Sequence, residues 1–154
     1  MISPEILRRF QFFSFLEPAQ YKQIAMLSNE FSYSNGEVIY NTDEPADALH
    51  FLINGNVDLW YVVTDKHEPD LVKEFQIGEV NPGEAFGISA LVEPYIYTTR
   101  AVSVGTSRVI KIDSVQLREM FPENRALGCG FMTATAKTAM ERLQHTRVQL
   151  AAAR

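Results

Sequence analysis

In the run Leu49-His50-Phe51-Leu52-Ile53-Asn54-Gly55-Asn56-Val57-Asp58-Leu59-Trp60-Tyr61-Val62-Val63, two β-rich segments flank an Asn-Gly pair. Asn and Gly tolerate positive φ, so the pair predicts a tight hairpin between strands 49–53 and 57–63. In the second segment Val57, Leu59, Tyr61 and Val63 alternate with Asp58 and Trp60, the period of a strand with one buried face. The same grammar continues on both sides. Upstream, Asn35-Gly36 precedes Val38-Ile39-Tyr40. Downstream, 64–70 is a polar tip, 71–77 returns, Pro82-Gly83 turns, and 97–104 and 108–112 supply the last strands. About eight short strands in succession predict a mainly β fold, a closed jelly-roll-like β-roll.

Helical signals bracket this region. Ser3-Pro4-Glu5 places a capping hydroxyl, a first-turn proline and an early acid before Ile6, Leu7 and Phe10. Glu17-Pro18 opens a second helix over 18–28, with Tyr21, Ile24 and Ala25 at helical spacing. Phe12, Phe13 and Phe15 between them are expected in the core, because aromatic rings bury so much surface each. At Asp113-Ser114 the pattern becomes helical again, with Val115, Leu117 and Met120 ahead of a stop near Pro122. From Glu123 to about Ala152 no proline intervenes. There Met132, Ala136, Ala139, Leu143, Thr146 and Leu150 alternate steps of four and three, the seam of a helix–helix contact. Two readings of that seam stay open: a homodimer interface, or a helix packed on its own roll. The expected organisation is one domain over 1–154, with helices in 1–30, the roll in 31–113 and helices in 114–154.

The 154 residues suffice for a core without disulfide or metal, and a domain of this length buries roughly 70% of its unfolded surface. Lys+Arg 14 against Asp+Glu 19 leaves a net charge of −5, which argues against a broad basic surface for duplex DNA or anionic lipid. No window approaches the roughly 20 apolar residues of a membrane span. The N-terminus has no basic-then-apolar leader, and the single Cys129 cannot form an internal disulfide. A cytoplasmic protein without membrane association is expected.

Specific residues then carry a family likeness. Gly36-Glu37-Val38-Ile39-Tyr40, 45–57 and Asn81-Pro82-Gly83-Glu84-Ala85-Phe86-Gly87 with Ser89-Ala90-Leu91 resemble the cyclic nucleotide-binding domain. That domain is shared by the catabolite activator family, protein kinase A regulatory subunits and cyclic-nucleotide-gated channels. The similarity covers roughly residues 8–145. Asp43 stands where the family usually has Gly, and Asp tolerates the left-handed conformation better than most residues.

The resemblance implies a ligand pocket at the family's phosphate-binding cassette, a Phe-Gly-Glu-x-Ala-Leu run whose short helix aims backbone amides at the cyclic phosphate. The family Glu holds the ribose 2′-hydroxyl, and an Arg further on, usually followed by Ser or Thr and then Ala, neutralises the phosphate. Here the run is Phe86-Gly87-Ile88-Ser89-Ala90-Leu91, with an apolar side chain in place of the Glu. Counting back without gaps from strand 108–112 puts Tyr97 at the Arg position and Thr98 and Thr99 after it. The alternative takes Arg100 as the phosphate ligand and requires about three extra residues in 92–99. Strand pairing favours the gapless register, since a slip inverts every side chain. Each lost charged contact is worth roughly 1.5–3 kcal/mol, so two losses remove about two to four decades of affinity. Weak cyclic AMP or cyclic GMP binding, or a different small ligand, is therefore expected.

Other chemistry is sparse. His50, His67 and His145 lack the close spacing of a cupin-type metal site, so a cupin-like enzyme is a distant alternative and no metal or cofactor is expected. Cys129 has no sequence-near base, and nothing pairs Asp43, Glu44 and Glu93 as acid and base. The expected function is a non-catalytic regulatory module that senses a ligand and presents helix 123–152 to an effector protein. A dimerisation module with a vestigial pocket is the alternative. Family transcription factors carry a helix-turn-helix domain after the long helix; this sequence shows no counterpart, so DNA binding by this chain alone is not expected.

Overall fold

Six antiparallel strands form the rolled sheet in the computed structural model, which describes residues 1–154. In chain order they are β1 (Ser28–Tyr33), β2 (Val38–Tyr40), β3 (Ala48–Thr64), β4 (Val72–Val80), β5 (Ala85–Phe86) and β6 (Arg100–Asp113). The order across the sheet is β1-β6-β3-β4, with β2 also on β6 and β5 on β3. Helices α1 (Pro4–Leu7) and α2 (Pro18–Met26) precede the sheet, and α3 (Ser114–Met120) and α4 (Arg125–Ala152) follow it.

The expected hairpin at Asn54-Gly55 does not form. Segments 49–53 and 57–63 are one strand, because both pair with β6 rather than with each other: Leu52 faces Val109 and Val57 faces Ser103. Between the pairs Asn54–Arg108 and Asn56–Val104, β6 advances four residues while β3 advances two. This bulge turns both strands around a corner of the roll. Gly55 (φ 98°) supplies the positive φ that the Asn-Gly pair advertised, at a bend instead of a turn. Segments 97–104 and 108–112 likewise merge into β6, which begins only at Arg100. Eight expected strands thus become six, and the roll starts at Ser28 rather than at 31.

Val57 and Leu59 are buried as the alternation requires, but the register shifts between Leu59 and Trp60. Beyond it Tyr61 and Val63 are exposed, since the β3–β4 hairpin extends past the core. Asp43 adopts φ 70°, the conformation expected of the residue standing in for Gly.

Helix ends follow their caps. The Ser3 hydroxyl accepts from the Glu5 amide, Glu17 and Gln20 form a reciprocal capping box, and Asp113 accepts from the Gln116 amide. Phe13 and Phe51 are fully buried 4.6 Å apart, and Phe12 and Phe15 pack on Phe131 of α4 at 6.0 and 5.2 Å. Phe15 lies directly on Gly130, where any Cβ would overlap its ring. The aromatic run therefore ties the N-terminal segment to α4. Leu127, Phe131, Ala134 and Thr135 of α4 face the roll, whereas Met132 (40%), Leu143 (47%) and Leu150 (57%) are exposed, as are Ala136 and Ala139. The helix packs on its own roll through one face and leaves the seam bare on another.

Candidate functional site

The site is organised by Gly87. Phe86 ends β5, Gly87 turns through φ 69°, and a short 3-10 helix over Ile88–Leu91 follows. A Cβ on Gly87 would stand 2.7 Å from His50 Cδ2, 3.2 Å from the Tyr97 ring and 3.4 Å from the Tyr40 ring. Three rings from three segments thus lie on this one backbone position. β3 delivers His50 because it pairs with Phe86; β2 delivers Tyr40; the loop before β6 delivers Tyr97. Tyr40 and Tyr97 stack at 3.9 Å and 14°, and His50 stacks on Phe86 at 5.0 Å and 28°.

Hydrogen bonding fixes the protons. The Tyr97 hydroxyl donates to Ala48 O at 2.7 Å and lies 3.0 Å from His50 Nε2. With its single proton so engaged, Tyr97 accepts from Nε2–H, which sets the tautomer and leaves His50 Nδ1 buried without a partner. Burial, helped by the nearby Lys111 charge, pushes His50 down to about 3. Burial also pushes Tyr40 up to about 12, although the Thr99 side chain, the Arg142 charge and the Gly87 amide pull it the other way. Tyr97 is raised as well, chiefly by burial. The ring cluster is uncharged at neutral pH. A cavity of about 300 Å³ adjoins it, lined by Tyr40, Glu44, Asp47, His50, Tyr97 and Lys111 among others.

A pH dependence follows. Unfolded His50 takes up a proton near its ordinary 6.5, whereas the folded ring stays neutral until about 3. Its contribution to stability is complete above about pH 6.5 and is lost progressively as pH falls through that window. Each pH unit there removes up to about 1.4 kcal/mol. Denaturant titrations at pH 7 and pH 5 should differ by about 2 kcal/mol more in the native chain than in His50→Phe. Equal differences would contradict the buried neutral ring.

Of the residues singled out in the sequence, Phe86, Gly87, Ile88, Ser89, Ala90 and Leu91 form one continuous turn. Tyr97 and Thr99 join them, while Thr98 is exposed. Ala90 is held from outside, its carbonyl accepting from Arg118 of α3, whose guanidinium stacks 3.7 Å from the Tyr95 ring. Arg100 stands apart. It alternates with buried Ala101, so it faces outward, where it makes two hydrogen bonds of 2.7 and 2.8 Å to Glu74 of β4. Sequence reasoning missed Tyr40, His50 and Arg142 as parts of the site. Arg142 reaches from α4 to donate to Glu79 O (3.2 Å) and Ala85 O (2.7 Å). Tyr40 and His50 lie in runs that carry the family likeness, but nothing local aims them or Arg142 at Gly87; strand pairing and helix docking bring them here.

A rolled sheet carrying a short helix at a glycine turn and followed by a long terminal helix has the architecture of the cyclic nucleotide-binding β-roll. The family model described as cyclic nucleotide-binding domain matches residues 30–124, and the chain belongs to that family. A candidate cyclic nucleotide-binding protein from Geobacter metallireducens GS-15 is 37% identical over 93% of this chain and 99% of its own, with TM-score 0.79. The sensor domain of the transcriptional regulator DNR from Pseudomonas aeruginosa shares 18% identity over 91% of this chain and 90% of its own, at 0.70. The regulatory subunit of a cAMP-independent protein kinase A from Trypanosoma brucei, in a triple-substitution form bound to cAMP, shares 17% identity over 97% of this chain and 50% of its own, at 0.72. No curated protein is significantly similar. No helix is long and apolar enough to cross a membrane.

Proposed function

We propose that this protein is a non-catalytic regulatory module whose roll is closed to cyclic nucleotides by its own side chains. One observation carries the reading: Tyr40, His50 and Tyr97 rest on the Gly87 backbone, the position from which a cassette of this family addresses phosphate. Ile88 offers no acceptor for a ribose hydroxyl, the rings themselves carry no charge, and Lys111 shares its cavity with Glu44 and Asp47. The roll therefore suits a small, less charged ligand that displaces Tyr97, and the displacement reaches α4 through Arg142 at Ala85 O. Calorimetry with cyclic AMP and cyclic GMP should show binding no tighter than about millimolar. Mass spectrometry of small molecules retained by the purified protein should reveal the ligand. Low-micromolar affinity for either nucleotide would overturn the reading.

The firm seating of Tyr97, 3% exposed and bonded to both Ala48 and His50, favours a second reading in which the roll is simply filled and dimerisation is the function. In both readings the exposed seam Met132, Ala136, Ala139, Leu143, Leu150 holds a homodimer, with an effector protein as further partner. Burying Leu143 and its symmetry mate contributes about 1.5–3 kcal/mol each. Leu143→Glu should convert dimer to monomer by light scattering at tens of micromolar, a concentration set by ordinary dissociation scales. A native chain that is monomeric at that concentration would remove the dimer from both readings.

A further inference from the structure

Outside the roll, the inner face of α4, the segment 11–15 and the turn 83–85 enclose a cleft of about 400 Å³. That volume is in the range of small-molecule sites. Phe12, Phe15, Ala85 and Ala134 give it an apolar floor. The floor is rigid, with Phe12 packed on Phe51 and Phe131 and Phe15 seated on Gly130. Two cations, Lys137 and Arg142, line the same cleft. The ion pairs of the chain are Arg8–Glu5, Arg100–Glu74 and Arg108–Glu30, so neither cation forms a salt bridge. Arg142 is engaged by the carbonyls of Glu79 and Ala85, which leaves Lys137 as the free donor. Of the two carboxylates present, Glu84 already accepts the Asn81 amide at 2.6 Å and Glu141 is exposed.

We propose that this cleft binds a small carboxylic acid with a ring-sized apolar body, its carboxylate on Lys137 and its body on Phe12 and Phe15. A polyanion such as a nucleotide fits poorly, because one free cation stands beside Glu84 and Glu141. The cleft shares no lining residue with the cavity of the roll, although Arg142 and Ala85 connect the two. Its walls come from α4 on one side and from the roll and N-terminal segment on the other. An occupant therefore holds α4 in the docked position, and the ligand and the helix position are linked reciprocally.

Naphthalene-2-carboxylate is the probe, titrated by fluorescence into the full chain. The expected result is saturable one-to-one binding at or below about 100 µM. Lys137→Ala should weaken it at least about tenfold, as should replacing the probe by the uncharged naphthalene-2-methanol. Thr133→Trp, which fills the cleft from an exposed position, should abolish binding. Lys137→Ala tests the site without filling it, should Thr133→Trp prove unstable by thermal unfolding. Absence of saturable binding would overturn the proposal. So would binding unmoved by Lys137→Ala and by folded Thr133→Trp, which would place the probe on another apolar surface such as the exposed face of α4.

Discussion

Ile88→Glu combined with Tyr97→Arg should raise the affinity for cyclic AMP by at least about a hundredfold, because each restored charged contact is worth roughly 1.5–3 kcal/mol. The Glu supplies an acceptor for the ribose 2′-hydroxyl, and the Arg supplies the countercharge. Removing the Tyr97 ring also clears the stack on Tyr40 and uncovers part of the Gly87 backbone. Neither change should suffice alone. Glu by itself adds a negative charge beside an anionic ligand, and Arg by itself leaves the ribose unpaired against an apolar wall. The two should therefore couple by roughly 0.5–3 kcal/mol. The variant also loses the Tyr97 bonds to Ala48 and His50, which costs about 1–3 kcal/mol of stability, so folding is checked first by denaturant titration. Calorimetry of the single and double variants is the measurement. A folded double variant indifferent to cyclic AMP would show that Tyr40 and His50 still close the site. Loss of the new binding on a further Arg100→Ala change would instead favour the gapped register, against the outward pairing of Arg100 with Glu74.

Gly55→Ala should be the most destabilising small substitution in the sheet. At φ 98° an added Cβ is strained whatever the space around it, and here it would stand 2.6 Å from Thr106 O and 2.8 Å from Ser107 Cα. Backbone, not a flexible side-chain tip, would have to give way, and the displaced segment is the β6 bulge that turns the corner. The expected loss is about 3–5 kcal/mol, in the tail reserved for backbone strain joined to overpacking. Gly36→Ala is the control, because Gly36 also has positive φ (79°) but nothing within 4 Å of an added Cβ. It should cost about 1–2 kcal/mol, the conformational part alone. Urea unfolding of the two variants separates the terms. Equal losses would mean that the approach of β3 to β6 at this corner is not tight.

The sequence by itself determined the type and order of most elements, because those depend on local chemistry. Ser3-Pro4, Glu17-Pro18 and Asp113 start helices through caps that act within one turn, and Asp43 carries its left-handed conformation in its own side chain. The run 86–91 is legible as a glycine-hinged turn for the same reason. Asn54-Gly55 marks the limit of such reasoning: it specifies positive φ, but whether the chain then doubles back or turns a corner depends on which strand lies alongside. That partner, β6, is about 50 residues further on. The interior of the site was decided by tertiary structure in the same way. Tyr40, His50 and Tyr97 meet over Gly87 because β2, β3 and the loop before β6 converge there, and Arg142 arrives from a helix docked by Phe12 and Phe15. Non-local pairing and packing leave no short-range signature in composition or spacing, so a filled roll and an open one share the same local grammar.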